Sequence, residues 1–239
     1  MEIVIGLLIV GLVLAIALLL VRRRRLWVGR FREATEVHKQ YWRQRRGETG
    51  ELLYAAIGDS AAQGIGASSP DNGYVGILAR HIATRTGRVV RVANLGIVGG
   101  TVRTAIDSEL RTFGTLTPDI VTVSVGANNI LTFDEAVFEA DIRQLLAAMP
   151  PHAIVADLPT FHFLPGERDV RRANAIIREV AGERGMTVVP LHAATRRLGL
   201  WAIGRNFAGD FFHPNDRGYR VWASAFEPAV DARLDELSP

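Results

Sequence analysis

The chain has 239 residues, 48% hydrophobic and 22% charged, which suits one good-sized domain with attachments and excludes a disordered chain. It has no cysteine, so a disulfide framework and thiolate metal sites are excluded. The net charge of +3 is unevenly placed: ten Arg or Lys stand against Glu33 and Glu36 between Arg22 and Arg46, whereas 18 basic residues meet 21 acidic ones from Glu51 onward, which argues against a nucleic-acid-binding domain.

Residues 3–21 are an unbroken apolar run of about 19 residues. As a helix they would span about 28 Å, close to the hydrocarbon thickness of a bilayer. Arg22 to Arg25 follow at once. A buried core helix rarely lacks a polar position for five turns. A cleaved signal peptide is the rival, with Ala15-Ile16-Ala17 resembling a cleavage site, yet no basic residue precedes the run and four arginines end it. Residues 1–21 are therefore read as a retained transmembrane anchor. Only Met1 and Glu2 precede the run, while Arg22 to Arg25, Arg30 and Arg32 follow it, and arginine-rich flanks stay cytoplasmic. The expectation is a single-pass cell-membrane protein with its main domain in the cytoplasm, export being the alternative.

Residues 26–46 carry Trp27, Phe31, Ala34, Val37 and Tyr41 at spacings of three and four with basic residues between, the pattern of an amphipathic helix. Beside a membrane it would lie at the headgroups, its aromatic side inward and its basic side on anionic lipid. A solvated spacer helix has the same pattern. Gly47-Glu48-Thr49-Gly50 breaks it, so residues 22–50 form a juxtamembrane helix and linker.

From residue 51 to 239 the chain alternates. Apolar, β-branched runs at 52–57, 89–94, 120–125, 153–158 and 187–191 predict strands; helical patterns at 74–86, 102–113, 134–148, 168–184 and 216–237 lie between them. Alternation at this spacing predicts a five-stranded parallel sheet with helices on both faces, a three-layer α/β/α domain.

Four loops after strands carry the chemistry. Gly58-Asp59-Ser60 ends the first strand, so Ser60 projects from the edge where open α/β sheets bind ligands. A serine hydroxyl is a weak nucleophile without a base, an orienting group and oxyanion donors. His213 is the candidate base, and Asp210, three residues earlier, the candidate orienter within one tight turn. The backbone N–H of Ser60, the N–H of Gly99 in the turn from Asn94 to Thr101, and the side-chain amide of Asn128 in Gly126-Ala-Asn-Asn129 are the candidate oxyanion donors. Each signal alone is weak; their joint occurrence, each after a strand, carries the reading.

This set resembles the SGNH (GDSL-type) hydrolase family over about residues 52–234. Gly58-Asp59-Ser60 matches its first block, Asn94 to Thr101 its second with Gly99 on the oxyanion glycine, Gly126-Ala127-Asn128 its third, and Asp210-Phe-Phe-His213 its last. The resemblance implies a flavodoxin-like SGNH fold and a serine esterase or lipase-type hydrolase that cleaves carboxylic esters or thioesters of lipids, acyl carriers or acetylated sugars. Ala61 stands where the family usually has Leu, and Asn129 where it usually has Asp after the asparagine.

A catalytically silent binding protein of the same fold is the rival from another class. The partial nucleophile-elbow pattern Gly58-x-Ser60-x-Ala62 lacks its last glycine. The remaining histidines form no ligand pattern, with His38 in the juxtamembrane helix, His81, His152 and His192 ordinary, and His162 a candidate for the substrate wall or a packed loop. Gly96 to Gly100 lacks the lysine and spacing of a phosphate cradle. No cofactor, metal or nucleic-acid partner is expected, and the loops 131–133 and 161–166 are the expected pocket walls.

Overall fold

The structure, a computed structural model, describes the backbone of residues 2–162, 166–199 and 201–237; within these, the side chains of 2–9, 23–30, 32, 202 and 203 lie outside the described set. The apolar runs form five strands, β1 (Leu52–Gly58), β2 (Val90–Asn94), β3 (Ile120–Ser124), β4 (Ile154–Ala156) and β5 (Thr187–Val189). All pairings are parallel and the order is β2-β1-β3-β4-β5. The chain steps from β1 to β2 on one side and then crosses to β3 on the other. The carboxyl end of β1 is therefore the topological switch point, where a crevice forms above the sheet.

Alternation along β1 divides the interior. Ala55 and Ile57 point to one face, with Val121, Val123, α5 (Glu135–Ala147) and α6 (Glu167–Glu183); Tyr54 and Ala56 point to the other, with α2 (Tyr74–Thr86) and α9 (Asp216–Leu237). Both layers of side chains are buried, as a sheet covered on both faces requires. Local chemistry sets the helix ends. Asp134 accepts from the Val137 N–H at 3.0 Å and starts α5, and Asn215 Oδ1 accepts from the N–H groups of Arg217 and Gly218 at the start of α9. The predicted helix 102–113 is helical throughout but contains a π turn: α3 (Val102–Thr104), then Ala105–Glu109, then α4 (Leu110–Phe113).

The first helix departs most from the sequence reading. α1 (Glu2–Gly47) crosses the expected boundary at residues 21 and 22 without a break. Its last turns pack on the domain: His38 and Trp42 are buried, and Trp42 joins the apolar layer with α2 and α9. Of the face assigned to lipid headgroups, Tyr41 donates to Asp71 and Val37 remains exposed, while the side chain of Trp27 lies outside the described residues. Burying Trp42 against the protein removes its apolar surface from water, which favours docking of these turns on the domain.

The expected transmembrane anchor is not supported as a spanning segment. Among the described residues no helix is long and apolar enough to cross a membrane. The side chains of 3–9 lie outside that set, and Val10 to Val21 alone would span about 18 Å against about 30 Å of hydrocarbon. Val10, Leu12, Leu14, Leu18 and Leu19 are exposed on α1.

Candidate active site

Because β2, β1 and β3 are neighbours about 4.8 Å apart, the loops that follow them converge on one spot. These loops hold Gly99, Ser60 and Asn128. The fourth component arrives from the segment before α9. There Phe207 bridges Pro214 and the Ala208 N–H donates to the His213 carbonyl at 2.7 Å, closing a tight loop around Asp210 and His213. Phe211 at its tip has φ 58°, a left-handed conformation that is costly for a phenylalanine and held by the surrounding loop. Gly66 lets this loop approach the serine turn: its φ is 98°, and a Cβ there would meet the Pro214 carbonyl oxygen at 2.4 Å.

The result is a continuous hydrogen-bonded chain. Ser60 Oγ lies 2.9 Å from His213 Nε2, and His213 Nδ1 lies 2.5 Å from Asp210 Oδ2. A carboxylate only accepts, so Nδ1 carries the proton and Nε2 of the neutral ring is left to accept from the serine hydroxyl. The other oxygen of Asp210 accepts from the backbone N–H groups of Phe212 and His213, at 3.1 Å each. Burial pushes the Asp210 carboxyl up, but the hydrogen bond and charge of His213 and the two N–H groups outweigh it, leaving the group below the usual carboxylate range. It therefore stays ionised at neutral pH.

Among the described residues neither the Ser60 N–H nor the Gly99 N–H donates to another protein group. Gly99 has φ 75°, and nothing lies within 4 Å of where a Cβ would stand. Its requirement for glycine is thus conformational, and the space in front of it is open. Asn128 Nδ2 donates to the Gly100 carbonyl at 2.9 Å, which uses one of two amide hydrogens, and the residue lines the cavity that also holds Ser60 and His213. Asn129, the departure noted above, has a role of its own: its Oδ1 accepts from the Val102 N–H at 3.0 Å and so satisfies a free donor at the start of α3. Ser60, His213 and Asp210 thus form one hydrogen-bonded chain, Asn128 lines the cavity beside Ser60 and His213, and Gly99 precedes the Gly100 carbonyl that Asn128 meets.

A cavity of about 260 Å³ opens beside Ser60 and His213, its lining mostly apolar, with Phe161, Leu198, Phe207, Phe212 and Trp222 among the walls. Ala61 lines it too, and a leucine there would take up part of its volume. His162 reaches this wall, at φ 55°; residues 163–165 of the expected wall lie outside the described residues. The other expected wall is displaced. Leu131 is exposed and Phe133 packs against Phe138, because the short helical turn Ala127–Thr132 swings them away from the serine. Glu167 sets the loop that remains, accepting from Thr160 Oγ1 at 3.1 Å and the Phe161 N–H at 2.8 Å while pairing with His192 at 2.9 Å. His81 pairs with Asp231. Among the described residues no cluster of three or more His, Asp or Glu is placed to hold a metal.

Three groups around the site escape the sequence reading. Gln63, three residues after the serine, donates through Nε2 to the Gly96 carbonyl at 2.7 Å and so ties the serine turn to the glycine loop. Phe31 of α1 lies against His213, ring centroids 5.4 Å apart. Glu109, buried on the π turn, accepts from the Gly58 N–H at 3.0 Å directly beneath the serine turn. Its signal was visible: Val102, Ala105, Glu109 and Phe113 fall on one buried helix face, and a carboxylate does not belong there without a purpose.

Burial, with help from the Asp59 charge and against the Gly58 hydrogen bond, pushes Glu109 up to about 9 from an ordinary 4.5. Asp59, also raised by burial, reaches about 6. Glu109 is thus protonated in the fold at neutral pH and ionised in the unfolded chain, so stability should fall as pH rises from about 4.5 to about 9, by at most about 1.4 kcal/mol per pH unit. Glu109→Gln keeps the acceptor for Gly58 and removes the titration. Its melting temperature should exceed that of the wild type at pH 8, with a flatter pH dependence. Parallel pH profiles for the two proteins would mean that Glu109 is ionised in the fold.

Residues 56–221 match the GDSL-like Lipase/Acylhydrolase family. No curated protein sequence matches the chain. Among solved structures, the chain is similar to an α/β hydrolase enzyme from the metagenome of Lake Arreo, Spain, with 24% identity and a TM-score of 0.64 over 77% of this chain and 97% of the other. It is similar to the lipase/acylhydrolase from Enterococcus faecalis at 18% identity and a TM-score of 0.64, covering 76% and 96%. An acetylxylan esterase from Geobacillus stearothermophilus gives 22% and 0.59, covering 75% and 94%. At these identities the structural likeness speaks to the fold.

Proposed function

We propose a mechanism and a setting for this chain, which belongs to the GDSL-like Lipase/Acylhydrolase family and is an ester-cleaving hydrolase. Ser60 is the nucleophile, His213 the general base and acid, and Asp210 the group that orients the imidazole. The observation that carries this reading is the hydrogen-bonded chain from Ser60 Oγ through His213 to Asp210, at 2.9 and 2.5 Å. His213 Nε2 takes the Ser60 proton as Oγ attacks the ester carbonyl carbon. The resulting oxyanion faces the N–H groups of Ser60 and Gly99 and the Asn128 amide. The imidazolium beside Asp210 returns the proton to the leaving alcohol, and an acyl-enzyme remains. Water activated by the same nitrogen then releases the acid.

A fluorophosphonate probe followed by peptide mass spectrometry tests this and also separates an enzyme from a silent binding protein. The label should sit on Ser60 and be lost in Ser60→Ala and His213→Ala. Esterase activity with no label on Ser60 would sink the assignment.

The apolar cavity beside the serine supports an acyl chain as the group recognised, in a carboxylic ester or a thioester of lipid type. With p-nitrophenyl esters of rising length, kcat/KM should climb beyond the acetate. An optimum at acetate would favour the carbohydrate O-acetyl esterase reading. For the setting, the exposed apolar side chains from Val10 to Val21, followed by Arg22 and its neighbours, support attachment to a membrane through α1 with the domain in the cytoplasm. Reporters fused after Pro239 test it: green fluorescent protein should fluoresce and alkaline phosphatase should stay inactive. The reverse pair would place the domain outside, and release of the full chain by alkaline carbonate would remove the anchor.

A further inference from the structure

We propose that Phe31, on the N-terminal helix, is a positioning residue that holds the His213 imidazole against Ser60. The inference rests on the reading of His213 as the base. The family match covers residues 56–221, so α1 and Phe31 lie outside it.

The geometry has three parts. First, Asp210 meets Nδ1 and Ser60 meets Nε2, and bonds to the two ring nitrogens leave the tilt of the ring plane to be set by what packs on its faces. Two aromatic neighbours among the described residues limit that tilt. The Phe31 ring lies 5.4 Å from the imidazole at 35°, and the Phe212 ring stands edge-on at 5.0 Å and 86°. Second, Phe31 is itself held. His38 and Trp42, seven and eleven residues further along α1, lie on the same helix stripe, and both donate to the Gln63 carbonyl, at 2.8 and 3.1 Å. Gln63 belongs to the serine turn, its N–H donating to the Asp59 carbonyl and the Ile65 N–H donating to the Ser60 carbonyl. Tyr41 bonded to Asp71, and Arg91 Nε donating to the Arg46 carbonyl at 3.0 Å, pin the same helix further. The helix that presses on the base is therefore fixed to the turn that carries the nucleophile.

Third, an aromatic face suits this place. It offers no strong hydrogen bond that would draw Nε2 from Ser60, and it favours the imidazolium that forms as the proton moves. A contact of this kind acts on kcat rather than on substrate binding.

The test uses the full chain purified in detergent, assayed on a short, soluble p-nitrophenyl ester. Phe31→Ala should lower kcat about tenfold with KM within about twofold, because small displacements of a base are costly. Phe31→Tyr should stay within about twofold of the wild type. Val37→Ala, an exposed position on the same helix, should behave as wild type. Wild-type kcat in Phe31→Ala overturns the proposal, and so does a raised KM with kcat intact, which would make Phe31 a substrate contact. Should Phe31→Ala not fold, Phe31→Leu keeps the bulk without the ring and should lose about threefold in kcat; wild-type kcat there overturns the proposal equally. His213→Ala run alongside separates the two claims. If it stays active, the base assignment fails; if it is inactive while the Phe31 variants are unimpaired, only the role of Phe31 fails.

Discussion

Ser60→Ala and His213→Ala should each lower kcat by roughly 10⁴–10⁶, with the fold intact. The two act as one unit. Ser60 Oγ is 2.9 Å from His213 Nε2, so removing the imidazole leaves a hydroxyl with no group to take its proton, and removing the hydroxyl leaves a base with nothing to activate. The double variant should then be little worse than either single one, since neither residue works without the other. Some acceleration over water should survive, because the donors from Gly99 and Asn128 are untouched. Steady-state rates on purified proteins with matching melting temperatures measure this. Full activity in Ser60→Ala would move the chemistry elsewhere in the molecule.

Asn128→Ala should lower kcat by roughly 10²–10³ while KM changes little. Asn128 Nδ2 already donates to the Gly100 carbonyl at 2.9 Å, which fixes the amide before any substrate arrives. A second hydrogen held in place meets a neutral carbonyl weakly and an oxyanion strongly, so its loss is felt in the transition state. Asn128→Asp should be at least as damaging, since it sets an acceptor and a charge against the developing negative oxygen. If KM rises while kcat holds, Asn128 binds the substrate's ground state and the oxyanion role is wrong.

The two expectations differ in origin from the one for Phe31. Ser60, Asn128, Asp210 and His213 each end a strand or close a tight turn, and such places follow from local pattern: an apolar run, then glycine, then a polar residue. Gln63 was harder to read, since it is polar and only the packed molecule shows that it ties the serine turn to the glycine loop; for Glu109 the helix face marked its burial but not its partner, the Gly58 N–H.

The sheet, its parallel sense and the residues at its carboxyl edge were legible in the residue pattern alone. Strand and helix alternate with a period that only crossover units satisfy, and short-range patterns specify where each strand stops. It also marked the apolar run at 3–21, but could not say what the helix beyond it would touch. The packed fold was needed to see that α1 turns Trp42 and His38 onto the domain and Phe31 onto His213, that Asn129 holds α3, and that the cavity is walled by Leu198, Phe207 and Phe212 in place of Leu131 and Phe133. An amphipathic stripe records that a face will be buried, not against what. Lipid headgroups and a protein surface satisfy the same pattern, and the choice rests on contacts between residues far apart in the chain.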